Sequence, residues 1–226
     1  MGEVVIKATS ISKSYDNGDS LLKVLDRISM EITPGEIVTI MGQSGAGKST
    51  LLHILGTLDS PDKGTVKING IDVNKCSKKK LSLLRNQEIG FIFQNHHLIP
   101  ELTVLENILV PTLIIGSNKD SIKYADFLLD FVGLTSKKYM YPNQLSGGER
   151  SRVATLRAVI NKPSIIFADE PTGNLDKLNS LLLIKLFLKI NKDFEQSIVI
   201  STHNPDVAAI GNNKLILENS VIREKT

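Results

Sequence analysis

At residues 37–50 the chain reads Ile37-Val38-Thr39-Ile40-Met41-Gly42-Gln43-Ser44-Gly45-Ala46-Gly47-Lys48-Ser49-Thr50. The first five residues are a continuous apolar run, which predicts a strand buried on both faces. A glycine-rich turn follows, and after it the apolar residues Leu51, Leu52, Ile54 and Leu55 have the spacing of a helix. This order of strand, glycine turn and helix predicts an α/β fold.

The turn itself has the chemistry of a phosphate-binding loop. Gly42, Gly47, Lys48 and Ser49 match the spacing Gly-x4-Gly-Lys-Ser between a strand and a helix. Glycines let backbone N–H groups converge on phosphate oxygens, and the helix N-terminus adds its dipole. Lys48 is predicted to reach the outer phosphates and Ser49 to bind Mg²⁺. The alternative, a glycine-rich turn without a ligand, is disfavoured by the strand before it and the helix after it.

A second apolar run, 164–168, ends in the carboxylates Asp169 and Glu170. Sheets of the α/β class bind ligands at the C-terminal ends of their strands, so Asp169 is placed for Mg²⁺. Glu170 lies one residue further and is predicted to polarise an attacking water as general base. Two solvated acids before a proline are the alternative, which the phosphate loop makes less favourable.

Leu145-Ser146-Gly147-Gly148-Glu149 is a second glycine-bearing cradle, about a hundred residues after the first. Ser146 and Glu149 form the capping-box pattern of a helix start. Two glycines in the first helical turn cost roughly 1 kcal/mol each relative to alanine, a cost that backbone donors facing a phosphate explain better than a cap does. One nucleotide needs one such loop, so the second is predicted to bind a nucleotide held by another chain.

Alternating apolar residues between Val4 and Ile32, with turn residues at 16–19, predict a small antiparallel sheet. Beyond it, strands and helices alternate, which predicts a mostly parallel sheet flanked by helices. The predicted strands are 37–41, 65–68, 89–93, 164–168 and 197–201, and the predicted helices are 103–113, 121–132, 147–160 and 178–192. The organisation expected is one domain, 1–226, with a catalytic core at about 1–93 and 163–226 and a helical subdomain at about 94–162.

Composition indicates which kinds of partner the chain has and in which cellular compartment it is expected. With 27 Lys and Arg against 24 Asp and Glu, a net charge of +3 does not call for nucleic acid. Cys76 is the single cysteine, so no disulfide forms within the chain and a reducing cytosol is expected. Residues 1–7 lack the pattern of an export signal, and the longest apolar run, 108–115, is too short to cross a bilayer.

Together with these motifs, further residues make the chain resemble the ABC-type ATPase family over nearly its whole length. Gln94 follows a strand as the Q-loop of that family does, Asp176 in Gly173-Asn174-Leu175-Asp176 resembles the D-loop, and His203 resembles the switch histidine. Tyr15 stands where these proteins place an aromatic that stacks on adenine. Alone, each of the four would more often be structural, but six elements in family order reverse that judgement.

The resemblance implies an activity, ATP hydrolysis, with ATP and Mg²⁺ as ligands. It implies a head-to-tail dimer in which 42–50 of one subunit and 146–149 of the other enclose each nucleotide. Gln94, with Ser49 and Asp169, would lie at the Mg²⁺ and the γ-phosphate, and His203 would order the water. Residues 146–149 are called the signature turn below. After its last residue, Glu149, many relatives carry Gln-Gln-Arg, whereas this chain has Arg150-Ser151-Arg152, which leaves packing or charge beside the partner's nucleotide open.

Within that family, Gly90 to Pro100, continued by Leu105-Glu106-Asn107 and Pro111, resembles the ATPases of lipoprotein-releasing systems, the LolD type. The implied partners are membrane permease subunits like LolC and LolE, with the chain peripheral on the cytoplasmic side of the inner membrane. MacB-like exporters of macrolides or peptides and FtsE-like signalling in cell division remain alternatives. Soluble ABC proteins are disfavoured because the chain has neither a second cassette nor a long heptad insertion.

Two further short stretches, a histidine pair and a lysine run, have less specific interpretations. His96-His97 is disfavoured as a metal site because adjacent side chains point in different directions; the loop is expected to receive a coupling helix from a membrane subunit. Lys78-Lys79-Lys80 is expected to be a solvated helix start, with contact to anionic lipid headgroups as the alternative.

Overall fold

The structure is a computed structural model that describes residues 4–16, 18, 20–116 and 119–224. The strands are β1 (Ile6–Asp16), β2 (Leu21–Ile32), β3 (Ile37–Met41), β4 (Lys63–Ile68), β5 (Ile71–Asp72), β6 (Ile89–Ile92), β7 (Ile165–Asp169), β8 (Ser197–Thr202), β9 (Asn213–Glu218) and β10 (Val221–Glu224). The helices are α1 (Lys48–Leu55), α2 (Lys78–Glu88), α3 (Val104–Leu109), α4 (Lys119–Phe131), α5 (Gly147–Val159), α6 (Lys177–Phe194) and α7 (Pro205–Ala209).

The central sheet has six strands in the order β10-β9-β3-β8-β7-β6. All neighbours from β9 to β6 run parallel, and β10 pairs antiparallel with β9 at the edge. The predicted mostly parallel sheet is therefore confirmed. Because β3, β7 and β8 are neighbours, the residues that follow their C-terminal ends meet at one edge of the sheet.

A second sheet of four strands has the order β2-β1-β4-β5 and is antiparallel throughout. This confirms the antiparallel sheet predicted at the start of the chain. The turn predicted between its first two strands includes Asn17 and Asp19, which lie outside the described residues.

Two apolar clusters cover the two faces of the central sheet. Along β7, Ile165 and Phe167 join the cluster shared with the antiparallel sheet and α1, whereas Ile166 and Ala168 join the cluster shared with the helices. The alternation follows from the two-residue period of a strand, and it explains why the strands read as continuous apolar runs. The second cluster continues without a break from the sheet to α3, α4, α5 and α6, so the helices of 94–162 are packed directly on the sheet.

Several element ends differ from the prediction by one or two residues. The largest difference is the helix predicted over 103–113, which is α3 followed by a 3₁₀ turn, Val110–Ile114. Pro111 lacks a backbone N–H and cannot continue the α-helical hydrogen-bond pattern. The sequence did not predict α7, β9 and β10. Across residues 4–16, 18, 20–116 and 119–224, no helix is both long and apolar enough to span a bilayer.

Candidate nucleotide-binding site

The glycine loop lies between the end of β3 and the start of α1, as the sequence predicted. Gly45 and Gly47 have φ angles of 79° and 98°, in the left-handed region that favours glycine. A Cβ on Gly47 would lie 2.6 Å from the Cγ1 atom of Val24. A side chain at position 47 would therefore clash with β2 as well as strain the backbone.

Lys48, the first residue of α1, folds back over the loop. Its Nζ donates to the carbonyl oxygens of Gly42 at 2.9 Å and Gln43 at 3.0 Å, and lies 3.3 Å from Oε1 of Glu170. The residue is buried, with 7% of its surface exposed. A buried ammonium with three oxygen partners is held where phosphate oxygens could replace them.

Two of the three predicted metal ligands, Ser49 and Asp169, meet at the end of β7, and the third, Gln94, lines the cavity in front of it. The hydroxyl of Ser49 donates to Oδ1 of Asp169 at 3.0 Å, and the hydroxyl of Ser201 on β8 donates to the same oxygen at 2.6 Å. A hydroxyl and a carboxylate are the hard oxygen donors that Mg²⁺ prefers, so these residues fit the ion. Nowhere in the described residues do three or more His, Cys, Asp or Glu side chains form a metal cluster, and phosphate oxygens and waters would supply the remaining ligands.

Glu170 is held in place from several sides. Its backbone N–H donates to the carbonyl and to the hydroxyl of Ser201, both at 3.1 Å, and its φ angle is 44°, which is strained for a residue other than glycine. Its Oε2 lies 2.9 Å from Nδ1 of His203 and accepts the His203 N–H at 3.3 Å. Two of the predicted catalytic side chains, Glu170 and His203, are therefore in direct contact.

A cavity of about 710 Å³ opens in front of this edge of the sheet. In the described part of the chain it is lined by Tyr15, Val24, Gln43, Ser44, Gly45, Gly47, Lys48, Ser49, Thr50, Gln94, Glu170 and His203. Ten of the residues predicted from sequence thus share one cavity with Glu170, and Val24 is an addition that no sequence pattern indicated. Gly42 and Ala46 lie against a separate hollow beside β9, where a Cβ on Gly42 would meet the carbonyl oxygen of Leu217 at 2.6 Å.

Tyr15, at the end of β1, forms one wall of the cavity. Its hydroxyl donates to Oδ2 of Asp59 at 2.9 Å, and the Nζ of Lys13 lies 5.2 Å from the centre of its ring. Burial and the hydrogen bond to Asp59 raise the pKa of the Tyr15 hydroxyl. The ring is thereby oriented while 42% of the residue stays exposed, so one face can receive a base.

Residues 146–149 form the first turn of α5 and are not among the described residues that line the cavity. Ser146 and Glu149 make the predicted capping box: the hydroxyl accepts the Glu149 N–H at 3.3 Å, and the carboxylate accepts the Ser146 N–H at 2.8 Å. That bond to the Ser146 N–H lowers the pKa of Glu149. Here the glycines are aligned by a local cap, away from the chain's own phosphate loop.

Asp176 is the N-cap of α6 and packs that helix end against the signature glycines. Its carboxylate accepts the N–H of Asn179 at 2.8 Å and the side-chain amide of Asn179 at 2.7 Å. A Cβ on Gly148 would lie 1.9 Å from Oδ1 of Asn179, whereas one on Gly147 would meet only Leu175 at 3.8 Å. Gly148 is therefore required by packing, and Gly147 is not.

The comparisons agree with this geometry. The profile of the ABC transporter family matches residues 25–173. The lipoprotein-releasing system ATP-binding protein LolD of Cytophaga hutchinsonii is 48% identical over 96% of this chain and 98% of its own length. The LolD protein of Bacteroides fragilis is also 48% identical, over 91% of this chain and 94% of its own.

The chain belongs to the ABC transporter family. A solved dimeric ATP-binding cassette in a post-hydrolysis state, bound to ADP and Pi, superimposes with a TM-score of 0.89 at 37% identity, over 98% of both chains. These likenesses confirm the predicted fold class and an ATPase of the ABC transporter type.

Arg150, where this chain departs from many relatives, has a local partner. The guanidinium of Arg150 donates to the Leu145 carbonyl oxygen at 2.6 Å, just before the signature turn.

Asn174 donates to the carbonyl oxygen of Gln94 at 3.4 Å and to the side chain of Asn95 at 3.2 Å, which ties the D-loop to the Q-loop. The sequence did not predict roles for Ser201 and Asn174, although polar residues beside predicted strand ends were the available signal.

Proposed function

We propose that this chain is the ATP-hydrolysing subunit of a transporter that releases lipoproteins from the inner membrane. The proposal is carried by the similarity to lipoprotein-releasing system ATP-binding proteins LolD, which match at up to 48% identity across nearly the full length of both chains. The loop of Gly90 to Pro100, the most specific part of the sequence within the family, supports the same assignment.

In this proposal the chain binds MgATP as its substrate complex. Backbone N–H groups of 43–49 and the Nζ of Lys48 hold the phosphates, and the ring of Tyr15 stacks on the adenine. Ser49, Asp169 and Gln94 hold Mg²⁺, which when bound neutralises phosphate charge. The contacts between Ser49, Asp169 and Ser201 keep these oxygens close together before the ligand arrives.

ATP binding rearranges the contacts of Lys48. The phosphates compete for the ammonium that now bonds the carbonyls of Gly42 and Gln43 and faces Glu170 at 3.3 Å. Loss of that ion pair frees the Glu170 carboxylate to accept a proton from water, while His203, 2.9 Å away, holds its other oxygen.

Two subunits assemble head to tail, so that 146–149 of one meet the nucleotide held by 42–50 of the other. Support comes from the position of the signature turn outside the chain's own cavity and from the dimeric state named for a similar cassette. Asp176 lies beside the signature glycines and so belongs to the same interface. ATP binding favours closure and hydrolysis favours opening.

The dimer acts on permease subunits like LolC and LolE, which hold it on the cytoplasmic side of the inner membrane. The segment 95–100 is the surface proposed to receive a coupling helix. Nucleic acid is not among the proposed partners, because a net charge of only +3 is not the excess of basic residues that calls for one.

Two variants of the purified chain test the ATPase. Glu170→Gln should lower turnover by at least about 100-fold, keep ATP binding, and accumulate an ATP-bound dimer in size-exclusion chromatography. Replacing Ser146 should leave ATP affinity largely unchanged and abolish turnover. Normal turnover of Glu170→Gln would refute the base, and equal loss of binding and turnover on replacing Ser146 would refute the two-subunit site.

The transport role is tested by the membrane protein that co-purifies with the chain from its own cells. A permease with a large periplasmic domain whose ATP-dependent release of a lipoprotein is lost in Glu170→Gln supports the proposal. Export of a macrolide or peptide instead, or a partner that moves no substrate and regulates cell-wall hydrolases, would replace it with the MacB-like or the FtsE-like role.

A further inference from the structure

The segment that follows Gln94 is bonded to the signature helix α5 by a side chain with no role in the site above. The Nε2 atom of His96 lies 2.7 Å from the hydroxyl of Ser151, and that hydroxyl donates to the carbonyl oxygen of Gly147 at 3.2 Å. Burial and the charges of Arg150 and Arg157 hold the pKa of His96 below its usual value, so the ring is neutral near pH 7.

The backbone of the same segment is also fixed to α5. The guanidinium of Arg157 donates to the carbonyl oxygens of His97 at 2.6 Å and His96 at 2.7 Å. Two parallel donors of one planar group fix orientation as well as distance. Since this clamp leaves the segment little freedom beside α5, the His96 ring is held where Ser151 can meet it.

The first turn of α5 depends on such contacts because two of its residues have no side chain. Glycine has no Cβ and more backbone freedom than any other residue, so the orientation of Gly147 and Gly148 depends more on surrounding groups. The capping box fixes the turn at Ser146, and Asn179 packs against Gly148. At Gly147, the hydroxyl of Ser151 is the side chain that the described residues bring to the carbonyl.

We propose that His96 is a positioning residue for the signature turn, acting through Ser151 on Gly147. Gln94 lines the chain's own ATP cavity. The His96–Ser151 contact joins the segment that follows Gln94 to the turn that meets the partner's nucleotide. Within each subunit, the backbone from Gln94 to His96 and two hydrogen bonds, His96–Ser151 and Ser151–Gly147, thereby link the two ATP sites of the dimer. This inference rests on the proposed head-to-tail dimer.

The test measures ATP-dependent dimerisation of the full chain in the Glu170→Gln background by sedimentation velocity. His96→Phe keeps a ring without a polar atom, Ser151→Ala removes the hydroxyl, and His96→Gln keeps a polar nitrogen at similar reach. One lost hydrogen bond corresponds to roughly fivefold per site, so the dimer dissociation constant should rise about 25-fold for His96→Phe and for Ser151→Ala. His96→Gln should restore most of the affinity.

The matched control is His97→Asn, which removes the neighbouring ring, whose centre lies 5.0 Å from that of the Phe93 ring. It keeps a residue that tolerates the positive φ of 48° at this position. We expect its dimer constant, and the ATP affinity of every variant measured as monomer, to match the parent. Thermal unfolding midpoints of the variants report any general loss of folding.

The outcomes separate the two proposals. If Glu170→Gln alone fails to dimerise with ATP, the proposed two-subunit site is refuted. If it dimerises but His96→Phe or Ser151→Ala leaves the constant unchanged, the positioning role is refuted while the function stands. The same holds if the double variant His96→Phe/Ser151→Ala weakens dimerisation by the product of the single effects, or if His97→Asn weakens it as much as His96→Phe.

Discussion

Alanine in place of Gly147 and alanine in place of Gly148 should change the free energy of unfolding in opposite directions. A Cβ on Gly147 has its nearest neighbour, Leu175, at 3.8 Å, an ordinary contact. A Cβ on Gly148 would lie 1.9 Å from Oδ1, 2.4 Å from Cγ and 3.0 Å from Cβ of Asn179. Rotation of the Asn179 amide cannot relieve this clash without breaking its 2.7 Å bond to the α6 cap, Asp176.

The magnitudes follow from these contacts. Gly147→Ala replaces glycine in a helix and should raise the free energy of unfolding by about 0.5 kcal/mol. Gly148→Ala gains a similar amount but loses about 1 kcal/mol with the Asn179 bond and about 1–3 kcal/mol by overpacking, a net loss of about 2.5 kcal/mol. The two variants then differ by about 3 kcal/mol, and at about 2–4 °C per kcal/mol for a chain of this size their melting temperatures should differ by about 6–12 °C.

Urea unfolding followed by circular dichroism measures both variants against the parent. Asn179→Ala serves as the second half of a double-mutant cycle, because it removes the two nearest atoms of the clash. Gly148→Ala should cost less in that background than in the parent. Equal unfolding midpoints for the two alanine variants, or strict additivity of Gly148→Ala with Asn179→Ala, would refute the packing argument.

The other predictions concern two residues of the nucleotide site, Ser201 and Tyr15, and one buried residue of α3, Asn107. Ser201→Ala removes the hydroxyl bonded to Asp169 and should lower kcat by about tenfold with little change in ATP affinity, measured by steady-state kinetics and by equilibrium binding; an unchanged kcat would contradict it. Tyr15→Ala should weaken ATP binding by about tenfold through the lost stacking. Tyr15→Phe loses only the hydrogen bond to Asp59 and should bind ATP normally in isothermal titration calorimetry. An equal loss of affinity in both variants would rule out the ring as the cause. Asn107 is fully buried and donates to three loop carbonyls, so Asn107→Ala should lower the free energy of unfolding by about 3 kcal/mol in urea titrations, and a change below about 1 kcal/mol would refute this.

Parts of the site could be predicted because they are local in sequence. The phosphate loop is nine consecutive residues whose glycines and helix start fix the backbone geometry. Ser146 and Glu149 are one helical turn apart, so their reciprocal bonds follow from spacing alone. The strand ends that place Asp169 could be located because buried parallel strands read as continuous apolar runs.

Other parts depend on which elements become neighbours, which no local pattern fixes. Ser201 reaches Asp169 because β7 and β8 are adjacent and in parallel register. The strands β9 and β10 at one end of that sheet, and the short α7, carried no strong periodic signal. The boundary of the helical subdomain stays a prediction, since one apolar cluster spans the sheet and the helices.

For this protein, the sequence by itself determined the phosphate loop, the acid pair and the helix cap, because each is set by residues within a few positions of one another. Only the tertiary structure decided that Lys48 faces Glu170, that Asn179 excludes a side chain at Gly148, and that His96 reaches Ser151 across 55 positions. Such contacts depend on the packing of whole helices and strands, and the packing follows from burial of the two apolar clusters rather than from any single motif.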